Sequence, residues 1–242
     1  MDPNAKLQKP EVKNEEIMKK YPYQNLIGSL MYASLGTRSD ITFSVNFLSQ
    51  FNTNSNESHW IAAKRVLRYL KGTINLELTY RISGKEMECY TNADWGSSID
   101  YRRSYTGYLF KMANAAISGE TKKQRTGALS STEAEYMSLT EAAKEALYEK
   151  KFLLDLQFNS KKPIVLYNDN QSCQKLAKNN VYHSTTKHID IKYHFIRKVL
   201  EDNVINLKYC QTEEMIADVL TKPLPKPILE KFITMIGLEG EC

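Results

Sequence analysis

The spacing of apolar residues first changes near residue 75, and that change limits the folds open to this chain. Before it, the segments 23–36 ("YQNLIGSLMYASLG"), 39–51 ("SDITFSVNFLSQF") and 58–72 ("SHWIAAKRVLRYLKG") repeat apolar residues at helical spacing. After it, apolar and polar residues begin to alternate, which is typical of half-buried strands. We therefore expect three short helices followed by a domain of the α/β class with a mixed sheet.

The second part of the chain gives a definite order of elements. It opens with an antiparallel meander, continues with a long alanine-rich helix, and ends in alternating strands and helices. The expected strands are 76–82, 87–93, 105–112, 114–118, 164–170 and 203–210, and the expected helices are 131–158, 171–178, 187–202 and a last helical segment at 214–222.

The net charge and the distribution of apolar residues limit the kinds of molecule that this chain is expected to bind. The formal net charge is +5, which suits a polyanionic partner without requiring one. No run approaches the roughly 18 to 20 apolar residues that a membrane-spanning helix needs, and the polar start is not a signal peptide. We expect no membrane partner and a cytoplasmic or nuclear location. The cysteines have no CxxC pairing and are expected to be free thiols: Cys89, Cys173, Cys210 and Cys242.

Four acidic residues fall near the ends of separate predicted elements. Such a set is what a divalent-metal nuclease needs, because two Mg²⁺ ions are held by hard oxygen ligands. A structural explanation is also open, since 28 acidic residues place some near element ends by chance and helix N-termini favour glutamate. The four candidate ligands are Asp94, Glu135, Asp169 and Asp218.

Several ordered motifs resemble one family. The segments "ALSSTEAEYMSL", "YNDNQSC", "KHIDIKYHFIR" and "ADVLTKPLP" are similar to the ribonuclease H (RNase H) region that closes the Pol polyprotein of copia-type retrotransposons. Upstream, "YQNLIGSLMYASLGTRSDI" and "RVLRYLKGT" resemble the end of that family's reverse transcriptase and its connection to the nuclease. The domains expected are a flexible lead-in (1–20), a helical connection (21–75), an RNase H-like domain (76–225) and a C-terminal helix and tail (226–242).

The resemblance implies the RNase H fold and metal-dependent cutting of the RNA strand in RNA/DNA hybrids, with two Mg²⁺ or Mn²⁺ ions. Three of the family's acids carry over, namely Glu135, Asp169 and Asp218. Glu135 is preferred to Glu133 because its following residues match the family pattern. Residues two apart on a helix also point about 200° apart, so only one of the pair can face the site.

Position 92 departs from the family pattern, because Asn92 stands where the family usually has a ligand Asp. An amide lacks the negative charge and turns one acceptor into a donor. Asp94 lies on the same face of the strand and is the local candidate to replace the missing ligand. We expect a weakened nuclease, and the alternative is an inactive nucleic-acid-binding or assembly module.

Basic segments beside the predicted meander offer contacts to the hybrid. "YRRS" and "TKKQR" are solvated turns or phosphate contacts, and both match the copia-type pattern. The candidate substrate-binding residues are Arg102, Arg103, Tyr105, Lys122, Lys123 and Gln124.

Two other activities are less well supported. The spacing of His183, His188 and His194 fits no common zinc finger, although a histidine that helps product leave remains open. No Tyr-x-Asp-Asp motif is present, so we expect no polymerase activity from this chain alone. A polymerase domain on another chain, and a virus-like particle or nucleus as location, are compatible with the resemblance. A Pol fragment and a copy in host use both remain open.

Overall fold

The chain forms a group of N-terminal helices, a five-stranded sheet with helices packed on it, and a C-terminal helix. The computed structural model describes residues 7–10, 20–96, 103–158, 162–178 and 187–240, and only the backbone of 187–190. The helices are α1 (Tyr23–Gly36), α2 (Thr42–Ser49), α3 (Glu57–Gly72), α4 (Ser131–Asp155), α5 (Gln171–Lys178), α6 (Lys187–Glu201) and α7 (Lys226–Ile236). The strands are β1 (Glu77–Leu78), β2 (Glu88–Ala93), β3 (Tyr105–Met112), β4 (Ala115–Lys123), β5 (Ile164–Asn168), β6 (Ile205–Tyr209) and β7 (Leu238–Glu239).

The three predicted N-terminal helices are confirmed. They bury Ile27, Leu48, Phe51 and Val66 in a core of their own, as the helical spacing of these residues requires. A buried ion pair lies at one end of this core. The Arg38 guanidinium donates to both oxygens of the Asp40 carboxylate, at 3.0 and 2.8 Å.

The main sheet has the order β4-β3-β2-β5-β6. β2, β3 and β4 pair antiparallel, whereas β2, β5 and β6 pair parallel, so the predicted mixed α/β sheet is confirmed. α4 lies across the sheet and packs small side chains such as Ala142 and Ala146 against it. The carboxyl ends of β2, β5 and β6 therefore meet at one edge of the sheet.

The predicted first strand of the meander, 76–82, is wrong. Only Glu77–Leu78 form a strand, and they pair with β7 instead of β2. The backbone N–H of Thr79 donates to the Gly237 carbonyl oxygen, so this segment finds its partners near the C-terminal end of the described chain. Alternation predicts a strand but does not encode its partner. The observed meander is β2, β3 and a β4 that extends to Lys123.

The predicted helical segment 214–222 is also corrected. It forms short 3₁₀ turns at Thr212–Glu214 and Ile216–Leu220, and the last α-helix begins only at Lys226. All five residues of Ile216–Leu220 are buried, so the segment lacks the solvent-facing side that an amphipathic surface helix presents. None of the helices in the described part of the chain is long and apolar enough to cross a bilayer.

Candidate nuclease site at the carboxyl ends of the central strands

Three carboxylates and one amide meet at the edge where the parallel strands end. Asn92 is the second-last residue of β2, and Asp169 is the first residue after β5. Glu135 lies near the start of α4, which begins after Ser130, whose hydroxyl accepts the N–H of Glu133 at 3.1 Å. The fourth member, Asp218, lies in the 3₁₀ turn Ile216–Leu220.

The Glu135 carboxylate is buried and held at both oxygens. Its side chain is 5% exposed; Oε1 accepts the Ala93 N–H at 3.1 Å and Oε2 accepts Asn168 Nδ2 at 2.9 Å. The pKa of Glu135 is raised to about 8, chiefly by burial; the hydrogen bonds from Ala93 and Asn168 oppose this rise, and the negative charges of Asp169 and Asp218 add to it. Burial at this position therefore favours the protonated form of Glu135.

Asp218 is also buried, and both of its oxygens have donors. Oδ1 accepts from Asn92 Nδ2 at 2.5 Å, and Oδ2 lies 2.8 Å from Lys222 Nζ. Burial raises the pKa of Asp218, Asp169 adds to the rise, and Lys222 and Asn92 oppose it. The Asn92 amide also donates to Thr221 Oγ1 at 3.0 Å. Its NH₂ group therefore faces Asp218, because a carboxylate accepts only from a donor.

The remaining two predicted acids lie in different surroundings. Asp169 is partly buried and accepts from Thr212 Oγ1 at 3.0 Å, while its charge acts on Glu135 and Asp218. Asp94 turns toward β3, where its Oδ1 accepts the backbone N–H of Tyr105. The structure thus groups Glu135, Asp169 and Asp218 around Asn92, and directs the Asp94 carboxylate to the strand backbone.

The carboxylate oxygens at this site are of the chemical type that binds a divalent cation, but their positions do not form a binding site for one. Carboxylate oxygens are the ligands that Mg²⁺ prefers. Across the described ranges, no three side chains of Asp, Glu, His or Cys stand close enough to enclose a metal ion. An amide NH₂ and an ammonium group occupy the Asp218 oxygens instead. The residues as arranged therefore do not fit the two-ion site that the family resemblance implies.

Most of the predicted substrate-binding side chains already have protein partners. Tyr105 is 1% exposed, and its ring packs edge-on against Phe43 at 5.4 Å. Gln124 is buried and donates to Thr106 Oγ1 and to the Ala134 carbonyl oxygen. Both side chains thus hold helices against the sheet rather than facing solvent.

The basic candidates differ in their surroundings. Lys122 forms an ion pair with Glu141 at 3.1 Å, and Lys123 donates to Gln50 Oε1 at 3.2 Å. Arg103 is partly buried, and Arg102 lies outside the described residues. Of the candidate histidines, His194 is exposed on α6, the backbone alone of His188 is described, and His183 lies outside the described residues.

Two residues at this site were not expected from the sequence. Trp95 follows Asp94 just beyond β2 and is 63% exposed, with its indole N–H 3.5 Å from the Ala128 carbonyl oxygen. Lys222 pairs with Asp218 from four positions along the chain. The signals were present in "NADW" and in the i, i+4 spacing of Asp and Lys, but that spacing is common on surfaces and does not single out a site.

Most of this chain is similar in sequence to part of a known polyprotein. No protein-family profile matches it. It is 43% identical over 223 residues to the retrovirus-related Pol polyprotein from transposon TNT 1-94 of Nicotiana tabacum, which covers 92% of this chain and 17% of that polyprotein. The chain therefore spans less than a fifth of the length of this relative.

A solved structure of low sequence identity shows likeness at the level of the fold. The foamy viral protease-reverse transcriptase dRH in complex with double-stranded DNA aligns with 82% of this chain and 35% of its own, at a TM-score of 0.51 and 20% identity. LC11-RNase H1 in complex with an RNA/DNA hybrid aligns with 56% of this chain and 94% of its own, at a TM-score of 0.42 and 14% identity. With the central β2 and the order β4-β3-β2-β5-β6, the fold is RNase H-like.

Proposed function

Because the chain belongs to the copia-type retrotransposon Pol polyproteins, in the region of the reverse transcriptase end and the RNase H domain, we propose that it acts on RNA/DNA hybrids. Its reaction is metal-dependent hydrolysis of the RNA strand, weakened by Asn92. The observation that carries this proposal is the meeting of Glu135, Asp169 and Asp218 at the carboxyl ends of the central strands.

The three carboxylates support hydrolysis because they form a concentrated negative site. The negative charge of Asp169 raises the pKa of both Glu135 and Asp218, and that of Asp218 raises the pKa of Glu135, so a divalent cation bound there would release that repulsion. Glu135, Asp169 and Asp218 would hold Mg²⁺ or Mn²⁺ once Asn92 and Lys222 had moved away from the Asp218 oxygens, and such an ion would supply polarisation of the phosphate and activation of water. The chain's own part is to hold the Glu135 oxygens in place through Ala93 and Asn168.

Trp95 and the basic side chains nearby are the proposed contacts to the hybrid. The exposed indole, two residues beyond the end of β2, offers a flat apolar surface to a sugar or a base, which is a common mode of RNA recognition. Arg103 and Lys122 are retained from the sequence prediction as phosphate contacts. We also propose that a polymerase domain on another chain is a partner of this one, and that the chain acts in a cytoplasmic virus-like particle or in the nucleus.

A second function is favoured by the occupied oxygens of Asp218. With Asn92 and Lys222 bound to them, the domain would bind hybrids without cutting them. Cleavage of a labelled RNA/DNA hybrid in Mg²⁺ or Mn²⁺, together with hybrid binding by fluorescence anisotropy, separates the two functions.

The decisive comparison is between the unaltered chain and Asn92→Asp. We expect the variant to cleave at least about tenfold faster, because loss of a partner around a metal typically costs about 10- to 100-fold. Asn25→Asp, at an exposed position of α1, is the matched control and should change nothing. Binding without cleavage in all three proteins would establish the second function, and equal robust cleavage would contradict weakening by Asn92.

A further inference from the structure

Lys222 and Asn92 together occupy both oxygens of one buried carboxylate. Asp218 receives the Lys222 ammonium at Oδ2 and the Asn92 amide at Oδ1. We propose that Lys222 is a built-in counter-ion of the site, whose ammonium holds the place of a divalent cation at Asp218 and weakens the binding of such ions there. The inference rests on the proposed function only in treating this group of acids as the nuclease site.

The position of Lys222 is fixed by the backbone of the turn. The Thr221 and Lys222 N–H groups both donate to the Asp218 carbonyl oxygen at 3.1 Å, which closes the chain behind the carboxylate. The lysine is thus tethered to its acid, so its effective concentration at Asp218 is high. A divalent ion from solution therefore has to displace an ammonium group that the backbone holds close to Asp218.

The degree of exposure lets the lysine act as a removable counter-ion. The Lys222 side chain is 41% exposed, whereas that of Asp218 is buried. The ammonium approaches from the solvent side, where an incoming cation would also enter. An ion that binds Oδ2 must therefore break this contact first, whereas Oδ1 is covered from within by Asn92.

Asn92 makes a single ammonium group sufficient. Its NH₂ group bridges Asp218 Oδ1 and Thr221 Oγ1, so a neutral donor stands where a second carboxylate would repel Asp218. With an Asp at position 92, one lysine could not balance both acids. The amide and the lysine therefore act as a pair that keeps the site closed without a metal ion.

The test measures ion binding rather than hydrolysis. Mn²⁺ affinity is determined by isothermal titration calorimetry, and Tm is measured in EDTA and in millimolar Mn²⁺. In Lys222→Met we expect Mn²⁺ affinity to increase on the order of tenfold, because the competing charge is gone. Its Tm should fall in EDTA, since Asp218 loses its partner, and should rise again with Mn²⁺.

Lys226→Met is the matched control. Lys226 also pairs at i, i+4, with Glu230 at 3.5 Å, but both side chains are exposed. This variant should keep the Mn²⁺ affinity and the Tm of the unaltered chain. Lys222→Gln removes the charge while keeping a hydrogen-bond donor, and it provides the same ion measurement if the methionine variant does not fold.

A purely structural role for Lys222 predicts a different result. Both Lys222 variants would then lose Tm in EDTA without any gain in Mn²⁺ affinity, and that outcome would overturn the proposal. Absence of cleavage in every variant would contradict hydrolysis but would leave the ion titration intact. The failure of one idea can therefore be told from the failure of the other.

Discussion

Gly107 lies directly opposite Asn92 in the β2–β3 ladder, and a Cβ atom at Gly107 would stand 2.7 Å from Thr221 Cγ2. The turn that carries Asp218 therefore packs against bare backbone of β3. This close approach allows the Asn92 amide to reach both Asp218 and Thr221. The geometry of the acidic site thus depends on a residue without a side chain.

Gly107→Ala should lower the free energy of unfolding by about 1–3 kcal/mol, the usual cost of overpacking a tight contact. Chemical denaturation measures the change. Gly28→Ala is the control, because Gly28 lies in α1 with nothing within 4 Å of an added Cβ. That variant should gain up to about 1 kcal/mol from helix propensity. Similar effects of the two substitutions would contradict the close packing at Gly107.

Glu135→Gln should remove a pH dependence of stability. The folded-state pKa of Glu135 is raised to about 8 by burial, above its ordinary value, so its stabilising contribution is complete below about pH 4.5 and is lost as the pH rises to about 8. The slope contributed by one proton is at most about 1.4 kcal/mol per pH unit.

The measurement compares free energies of unfolding between pH 4.5 and 8.5 for the unaltered chain and for Glu135→Gln. The variant should gain stability relative to the unaltered chain as the pH rises. Glu133→Gln, whose carboxylate accepts the Leu129 N–H in the same part of the helix, is the control. A constant difference between the unaltered chain and Glu135→Gln across the range would contradict the raised pKa.

The N-terminal helices should lose stability in mild acid through His59. Burial lowers the pKa of His59 to about 4, its ring lies 4.0 Å from that of Phe51, and its Nδ1 accepts the Asn56 N–H. Because the folded-state pKa is depressed, the contribution to stability is present above about pH 6.5 and is lost as the pH falls to about 4.

His59→Gln keeps an acceptor at this capping position but does not titrate. The acid-induced loss of helical circular dichroism should therefore be smaller in this variant than in the unaltered chain. His194→Gln, on the exposed side of α6, should leave the acid sensitivity as it was. If both variants show the acid sensitivity of the unaltered chain, His59 is not its source.

Arg38→Met should be strongly destabilising. It leaves the buried Asp40 carboxylate without the guanidinium, and breaking a buried pair in this way costs about 3–5 kcal/mol. Lys162→Met, which breaks an exposed pair with Glu86, should cost about 0–1 kcal/mol. Equal losses in thermal or chemical unfolding would mean that burial of Asp40 does not set the cost.

The sequence predicts most of the helices and strands, for physical reasons. Helical spacing in α1 and α3 reflects one buried face, which every amphipathic helix must have. The approach of Asn92 and Asp169 follows from the parallel pairing of β2 and β5, whose carboxyl ends meet at one edge of the sheet. Such features depend on neighbours in the sequence or on the topology of the sheet.

Other features depend on contacts that no local pattern encodes. Tyr105 is buried because α2 packs its aromatic side chains on β3. The segment "RSYTGY" contains no signal that a helix packs there. The turn of Asp94 toward the Tyr105 backbone is likewise set by how the strands pair beyond β2. The contact of Lys222 with Asp218 is decided by the form of a 3₁₀ turn, which the sequence pattern predicted as an α-helix.

The small sheet of β1 and β7 has a consequence for the time course of synthesis. Glu77 pairs with Glu239, so β1 leaves the ribosome long before its partner exists. At about 5–20 residues per second, that delay is roughly 10 to 30 s. During this interval all the residues that form the core of the three N-terminal helices have been synthesised. The strand β1 that follows them still lacks its partner β7. In the nascent chain, β1 therefore stays without this pairing until Leu238 and Glu239 have been synthesised.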